Sequence, residues 1–327
     1  MSQRETTLIV GRAEALQLLT IKDCIPVMRQ LLQEISSGKV SMLQRASIRT
    51  PEGNTFALMP GMAAAQGVVG SKVIIFPGPA ARETASGIVP LFNTETGALF
   101  AIVDGESITV TRTAAMTAAA TDVLANPNAD SLAILGSGRQ GMAHLQAINH
   151  VRELKRVLLW DFHSEAAHAA QKQATALCDA EILVCENARD AVVGADIVCT
   201  TSKAKEPILF GEWLRPGTHV NLIGACSGNI RECDAKTLQV ARVFLDYTEA
   251  SLRDAGDLVI PINAGEYGAD AIIGELGEVL LGGKQGRSSE QDITVFESVG
   301  LAVQDVAAAN LIYQKAREQR LGIEVLI

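Results

Sequence analysis

Gly136-Ser137-Gly138-Arg139-Gln140-Gly141 carries glycine at its first, third and sixth positions, and an acidic residue, Asp161, lies 161 − 136 = 25 residues beyond the first of them. In that pattern the first glycine permits a tight turn and the second lets backbone approach a pyrophosphate. The third lets a helix pack closely on a strand, and the N–H groups and dipole of that helix favour an anion. The pattern alone occurs often by chance. Here it follows the apolar run SLAIL, opens a helical segment, and is followed by a second apolar run, RVLLW, that ends at Asp161. This context predicts a dinucleotide site formed by Gly136, Ser137, Gly138, Arg139, Gln140 and Gly141. Asp161 would accept hydrogen bonds from the adenine-ribose hydroxyls and repel a 2′-phosphate, which makes NAD(H) the preferred cofactor and leaves NADP(H) possible, with His163 softening the discrimination. A helix cap is the plainer alternative for Asp161.

Three cations sit in apolar surroundings: Lys72 in GSKVIIFPG, Arg112 in VTRTAAMTAAAT and Arg45 in SMLQRASIRT. An enzyme that moves hydride to or from an amino or imino acid needs cations for the carboxylate and a proton source for the nitrogen. Residue types alone read equally well as a solvated lysine at a strand head and arginines at a strand or helix start. Thr200-Thr201-Ser202 and Gly224-Ala225-Cys226-Ser227 close later apolar runs, where ligands of open α/β sheets sit, or else are hydrogen-bonded turns.

The elements that must position these groups follow from periodicity. Apolar residues recur at helical spacing from Ala13 to Ile35, with Thr20 or Asp23 able to cap the second half. From Val40 to Ala101 short apolar runs alternate with Gly, Pro and Asn turns, and the segment from Gly87 to Gly105 reads as a hairpin around Thr94-Glu95-Thr96-Gly97. An Ala-rich helix is expected from Thr111 to Asn126. Beyond it, strand and helix patterns alternate through SLAIL, RVLLW, EILVC, ADIVCTTS, HVNLIGA and RVFLDY, the sequence form of a doubly wound parallel sheet. The segment from Val303 to Arg320 reads as an amphipathic helix, with Val306, Ala309, Tyr313 and Ala316 on its apolar face and Gln304, Lys315 and Glu318 on its polar one.

The 327 residues are about twice a usual domain, and 48% hydrophobic but only 4% aromatic residues fit buried parallel strands under small-residue helices. The predicted class is α/β. A net charge of −9 without any basic run argues against nucleic acid as partner. The six cysteines include no C-x-x-C pair, so no zinc spacing exists and no metal is expected; scattered thiols fit a reducing compartment. The N-terminus lacks a secretory apolar region, and no run approaches the ~20 apolar residues that span a bilayer. A cytoplasmic protein without a membrane partner is expected.

Taken in order, LMPGM, GSKVIIFPG, LFNTETGALFAIVDGESITVTRTAA, ILGSGRQG, EPILFGEWLRPGTHVNLIGA, IGELGEVLLG and TVFESVGLAVQD resemble the ornithine cyclodeaminase and mu-crystallin family over nearly the whole chain. The resemblance implies a homodimer. It places residues 121–303 in a Rossmann NAD(P)-binding domain, and residues 1–120 with 304–327 in a smaller α+β substrate-binding and dimerisation domain. It sets Arg45, Lys72 and Arg112 at the substrate carboxylate, with Lys72 also able to relay a proton and Arg49 competing with Arg45. It puts Ser298, Val299 and Gly300 near the nicotinamide, and Met59 and Cys226 at the substrate pocket; Thr200, at the end of its apolar run, is a further cofactor-binding candidate.

Where cyclodeaminases carry an aspartate that handles the substrate amine, this chain has Cys226, a thiol and a poor substitute for a carboxylate in balancing an ammonium group; Asp234 matches a structural position. The implied activity is therefore an NAD(P)H-dependent reductase of imino acids, such as Δ1-pyrroline-2-carboxylate to L-proline. Ornithine cyclodeaminase, an alanine- or opine-type dehydrogenase, and a non-enzymatic, nucleotide-binding mu-crystallin-like protein are the alternatives.

Overall fold

The computed structural model describes residues 6–78 and 85–327; the first five residues of the N-terminus, read above for a secretory region, lie outside them. Contacts divide the chain into one unit that runs to Thr113 and resumes over Leu301–Ile327, and a second, Ala114–Gly300. The first unit opens with β1 (Thr7–Val10), α1 (Arg12–Leu18), α2 (Ile21–Ser36), β2 (Val40–Met42), β3 (Ala46–Arg49), β4 (Thr55–Ala63), β5 (Val68–Phe76), β6 (Ser86–Asn93) and β7 (Leu99–Asp104). Next comes α3 (Glu106–Leu124), and then the second unit: β8 (Ser131–Leu135), α4 (Arg139–Asn149), β9 (Arg156–Trp160), α5 (Ser164–Ala174), β10 (Glu181–Val184), α6 (Ala188–Val193) and β11 (Ile197–Thr200). It continues through β12 (His219–Leu222), α7 (Ala235–Gln239), β13 (Ala241–Leu245), α8 (Thr248–Asp254), α9 (Gly256–Asn263), β14 (Gly274–Glu275), α10 (Leu276–Leu280) and β15 (Ile293–Glu297). The chain then returns to the first unit with α11 (Ala302–Gln319) and β16 (Ile323–Val325).

The first unit is a mixed sheet ordered β16-β1-β7-β6-β5-β4-β2, with β3 also on β4. Along β4 and β5 alternate residues are buried, because one face is covered and the other is open. The covered face carries Ala57, Met59, Ala63, Val68, Lys72 and Ile74, and α11 packs across it. Gly61 makes that approach possible, since a Cβ there would lie 2.9 Å from the Val303 backbone nitrogen. Thr20 caps α2 by accepting from the Asp23 N–H, and the expected hairpin is β6 and β7, paired antiparallel.

The second unit is an eight-stranded sheet ordered β10-β9-β8-β11-β12-β15-β13-β14, parallel throughout. The α/β class and the Rossmann topology expected from strand–helix alternation are both present. Strand β8 is buried at every residue, so its sequence is a continuous apolar run. Strand order reverses between β8 and β11.

Three local expectations are corrected. Helix α3 starts at Glu106 rather than Thr111, because the Asp104 carboxylate accepts from the Ser107 N–H and Ile108 is buried. These outweigh the weak helix propensity of the β-branched run ITVT. Arg112 therefore sits in the second turn of α3, not at a helix start. Lys72 lies at the centre of β5 and not at a strand head, since Val68, Val69 and Gly70 already pair with Ala63, Met62 and Gly61. Gln304, expected on a solvent face, is fully buried, because the first turns of α11 are enclosed on every side.

Candidate functional site

In the second unit, the turn from β8 into α4 has the form its glycines predict. Gly136 adopts φ +101°, and a Cβ there would lie 2.8 Å from the Ser202 nitrogen, so both the turn and the close approach of the segment after β11 require glycine. A Cβ on Gly141 would meet the Gly136 carbonyl at 2.4 Å, the helix–strand contact assigned to that position. Around Gly138 there is open space, as an approaching phosphate needs. Among the described residues no side chain caps the N-terminus of α4, its first turn carries no acidic residue, and the side-chain oxygen of Gln140 is buried without a partner. This combination of a bare helix terminus, open backbone and an orphaned polar atom fits a pyrophosphate.

Asp161 follows β9 directly; it accepts from the Ser137 N–H at 2.8 Å and from the His163 N–H at 3.0 Å. Its carboxylate is thus fixed beside the loop. Thr200 is buried at the end of β11, and the neighbouring Thr201 hydroxyl donates to the Gly136 carbonyl at 2.7 Å. Ser298 donates to Asp246 at 2.8 Å and the Val299 N–H donates to the same carboxylate at 3.2 Å, while Gly300 takes φ +78°. Cys226 is exposed, on the segment after β12. Asp234 accepts from the Thr237 and Gly211 N–H groups, the structural role expected of it.

The first unit brings two of the three sequence-predicted cations into direct association. Lys72 and Arg112 are 2% and 4% exposed, and both pair with Asp305, which is completely buried. Lys72 Nζ lies 2.8 Å from Asp305 Oδ2, and Arg112 Nε donates to Oδ1 at 3.0 Å. Arg112 Nη1 donates to Gln304 at 2.6 Å, and Lys72 also donates to the Thr109 hydroxyl at 3.3 Å. Among the described residues, Arg112 Nη2 takes no partner. Two buried cations thus share one carboxylate, and the surplus positive charge favours an incoming anion.

Burial pushes Lys72 down; Asp305 pulls it back up, while Arg112 and, more weakly, Arg45 push it down again, to about 8. Burial raises Asp305, but Arg112 and Lys72 together outweigh it and hold the carboxyl below its ordinary value. Arg45 is exposed just before β3, near enough for its charge to reach Lys72; Arg49 is exposed on β3 itself. Met59 is buried directly opposite Lys72 across the β4–β5 pair. A lysine poised near neutrality, an arginine with a free nitrogen and a carboxylate locking both can bind a carboxylate and move one proton.

Sequence reading missed Asp305, Gln304, Thr109 and Asp246. The first two could have been flagged as adjacent polar residues in the small-residue run GLAVQDVAAA, where nothing else needs solvent.

A model of the ornithine cyclodeaminase/mu-crystallin family matches residues 5–320. The chain is 34% identical over 320 residues to a Δ1-pyrroline-2-carboxylate reductase of Bacillus cereus, covering 96% of this chain and 98% of that protein. It is 38% identical over 259 residues to the mouse (Mus musculus) ketimine reductase mu-crystallin, covering 78% and 79% of the two. Among solved structures, Thermococcus litoralis Δ1-pyrroline-2-carboxylate reductase in complex with NADH and L-proline matches with TM-score 0.92 and 30% identity, over 98% of this chain and 100% of that one.

Proposed function

From the premise that the chain belongs to the ornithine cyclodeaminase/mu-crystallin family, we propose that it is an NAD(P)H-dependent reductase of imino acids whose substrate is a cyclic ketimine carboxylate such as Δ1-pyrroline-2-carboxylate, converted to L-proline. The observation that carries this reading is the buried Lys72–Asp305–Arg112 arrangement, with one cation in surplus and a lysine shifted to about 8. The relatives named as reductases of such substrates support it.

Arg112, through its uncommitted Nη2, and Arg45, from its exposed segment, hold the substrate carboxylate. The ammonium of Lys72 donates its proton to the imine nitrogen and is reprotonated from solvent. With a pKa near 8 it is mostly charged at neutral pH, yet gives up the proton more readily than an ordinary lysine. Asp305 holds both cations in place and stays ionised between them. When bound, a reduced nicotinamide would be the source of hydride for the C=N carbon. The carbon would gain that hydride while the nitrogen takes the Lys72 proton, so the imine would be reduced by two electrons to the secondary amine. The loop 136–141 would hold the pyrophosphate, Asp161 the adenine-ribose hydroxyls, and Thr200 with the 298–300 loop the rest of the cofactor. The fixed carboxylate of Asp161 supports a preference for NADH. Cys226, in place of the cyclodeaminase aspartate, weighs against cyclodeamination.

The open face of the first unit's sheet carries Leu58, Ile75, Ile88 and Phe92, each more than a third exposed. Such an apolar face supports the homodimer, with this unit as the substrate and dimerisation domain. Its test is Ile88→Glu, which should shift the protein toward monomer in sedimentation. All six cysteines are free, which supports a reducing, cytoplasmic setting. Among the described residues no helix is long and apolar enough to cross a membrane.

The experiment is NADH oxidation by purified protein with Δ1-pyrroline-2-carboxylate, repeated with NADPH, with L-proline assayed as product. Oxidation with proline formation, faster with NADH, is expected. NADH binding without oxidation, together with ammonia release from ornithine, would replace this reading with the cyclodeaminase one.

A further inference from the structure

At the C-terminal ends of β11, β12, β13 and β15 the second unit buries four carboxyl groups completely: Glu232, Asp246, Asp257 and Glu297. Three of them hold the fold together. Glu232 accepts from the Ser202 N–H and hydroxyl at 2.6 Å and from the Gly224 N–H at 2.7 Å. Asp257 accepts from the Glu232 and Cys233 N–H groups at 2.7 and 2.8 Å. Asp246 accepts from Ser251, Ser298 and the Tyr247 and Val299 N–H groups.

Glu297, the last residue of β15, differs: among the described residues neither of its oxygens has a hydrogen-bond partner. The groups whose charge reaches it are Asp257 from α9, Asp246 from the end of β13, and Glu232 and Cys226 from the segment between β12 and α7, where Cys233 also lies. Arg231 brings a positive charge to the cluster, through Asp257. Among the described residues no group of three or more His, Cys, Asp or Glu is arranged to hold a metal ion. An unpartnered, fully buried carboxyl among carboxylates is stable only as the neutral acid, and it is primed to ionise when a positive charge arrives.

A doubly wound sheet binds a dinucleotide as two halves on either side of the strand-order reversal. The glycine loop after β8 and Asp161 after β9 occupy one side. The nicotinamide half then belongs over β11, β12, β15 and β13, where the carboxyl cluster lies. The oxidised ring is a cation and the reduced ring is neutral; the rest of the cofactor is the same in both.

We propose that this cluster couples the oxidation state of the bound nicotinamide to a proton: the oxidised cofactor displaces the Glu297 proton to solvent, and the reduced cofactor leaves it in place. The coupling rests on the cofactor reading above. In the binding step the Glu297 O–H bond breaks, the electron pair stays on the carboxylate and no redox change occurs. Burial, then Asp257 and Asp246, raise Glu297 well above the ordinary carboxyl range, and burial raises Glu232 to about 7 and Asp246 and Asp257 each to about 6. The cluster therefore changes charge around neutral pH, and its preference for NAD+ over NADH should rise with pH.

The test is calorimetric titration of the whole protein with NAD+ and with NADH, without substrate, in buffers of different ionisation enthalpy. Proton release with NAD+ and none with NADH is expected, with the NAD+/NADH affinity ratio rising about tenfold per pH unit between about pH 6 and about pH 8. Glu297→Gln should bind both and flatten that rise. Equal proton counts for the two cofactors with a flat ratio, or an unchanged pH dependence in Glu297→Gln, would overturn the coupling. If the variant does not fold, the proton counts of the wild type decide alone. Failure of the wild type to bind either nucleotide would instead remove the cofactor reading, and the coupling with it.

Discussion

The two units bury ionisable groups by opposite means. In the first, Lys72, Arg112 and Asp305 remain charged because each is within 3.0 Å of an opposite charge, and one positive charge is left over. In the second, Glu232, Asp246, Asp257 and Glu297 have no cation directly bonded to them among the described residues, and burial shifts all four upward. Pairing holds the Asp305 carboxyl below its ordinary value and keeps Lys72 charged up to about pH 8, whereas a like-charged cluster answers burial by holding protons. The first arrangement suits a site that must grip an anion at every turnover. The second suits a site whose charge must change with its ligand.

The sharpest way to break this contrast is at Lys72. Lys72→Ala should lower kcat about 10²–10⁴-fold, the contribution of a positioned general acid, while the Kd for NADH stays within about twofold of wild type, as far as an unlinked site should move it. Steady-state kinetics alongside cofactor titration separates the two; an unchanged kcat would remove Lys72 from the chemistry. Asp305→Asn strikes the other half of the pair. It leaves two buried cations without their counter-charge and should cost about 3–5 kcal/mol in urea unfolding. A loss under about 1 kcal/mol, what an exposed pair contributes, would mean that the cations are solvated in solution.

The glycine loop was legible because its signal is local: three glycines, a preceding apolar strand and Asp161 all fall within one βαβ segment. The Rossmann alternation was legible for the same reason. The Arg112–Asp305 pair was not, since its partners are 193 residues apart and meet only when α11 returns across β4 and β5. Gln304 was placed on a solvent face because a periodicity rule assumes one wet side, and the first turns of this helix have none. The start of α3 was hidden by Ile108, Thr109, Val110 and Thr111, whose side chains favour strands until a cap and burial decide otherwise. Glu297 offered no signal at all, because a strand-end glutamate is ordinarily solvated.

Two smaller effects sharpen the comparison. Asp161→Ser should raise the ratio of NADPH to NADH kcat/KM by about tenfold, the scale of one nearby charge on a 2′-phosphate; an unchanged ratio would mean that Asp161 only braces Ser137 and His163. Asp246→Asn probes the carboxyl cluster through stability. Because the folded pKa of Asp246 is raised to about 6 from 3.8, the folded state holds a proton that the unfolded state has lost between those values, so its contribution falls as pH rises through that window. The amide cannot ionise. Its stability deficit relative to wild type should therefore shrink by about 1–3 kcal/mol between about pH 4 and about pH 7 in denaturant titrations. A deficit that grows with pH would show that the carboxylate is welcomed there and not penalised.

The most direct test of Lys72 as proton donor to the imine nitrogen of an imino acid is the pH profile of NADH oxidation with Δ1-pyrroline-2-carboxylate, measured from about pH 6 to about pH 10 for wild type and Lys72→Ala. The wild type should form L-proline and lose rate as the pH passes about 8, with that limb absent from the residual activity of the variant. A profile with no break near 8, or the same break in both proteins, would contradict the assignment.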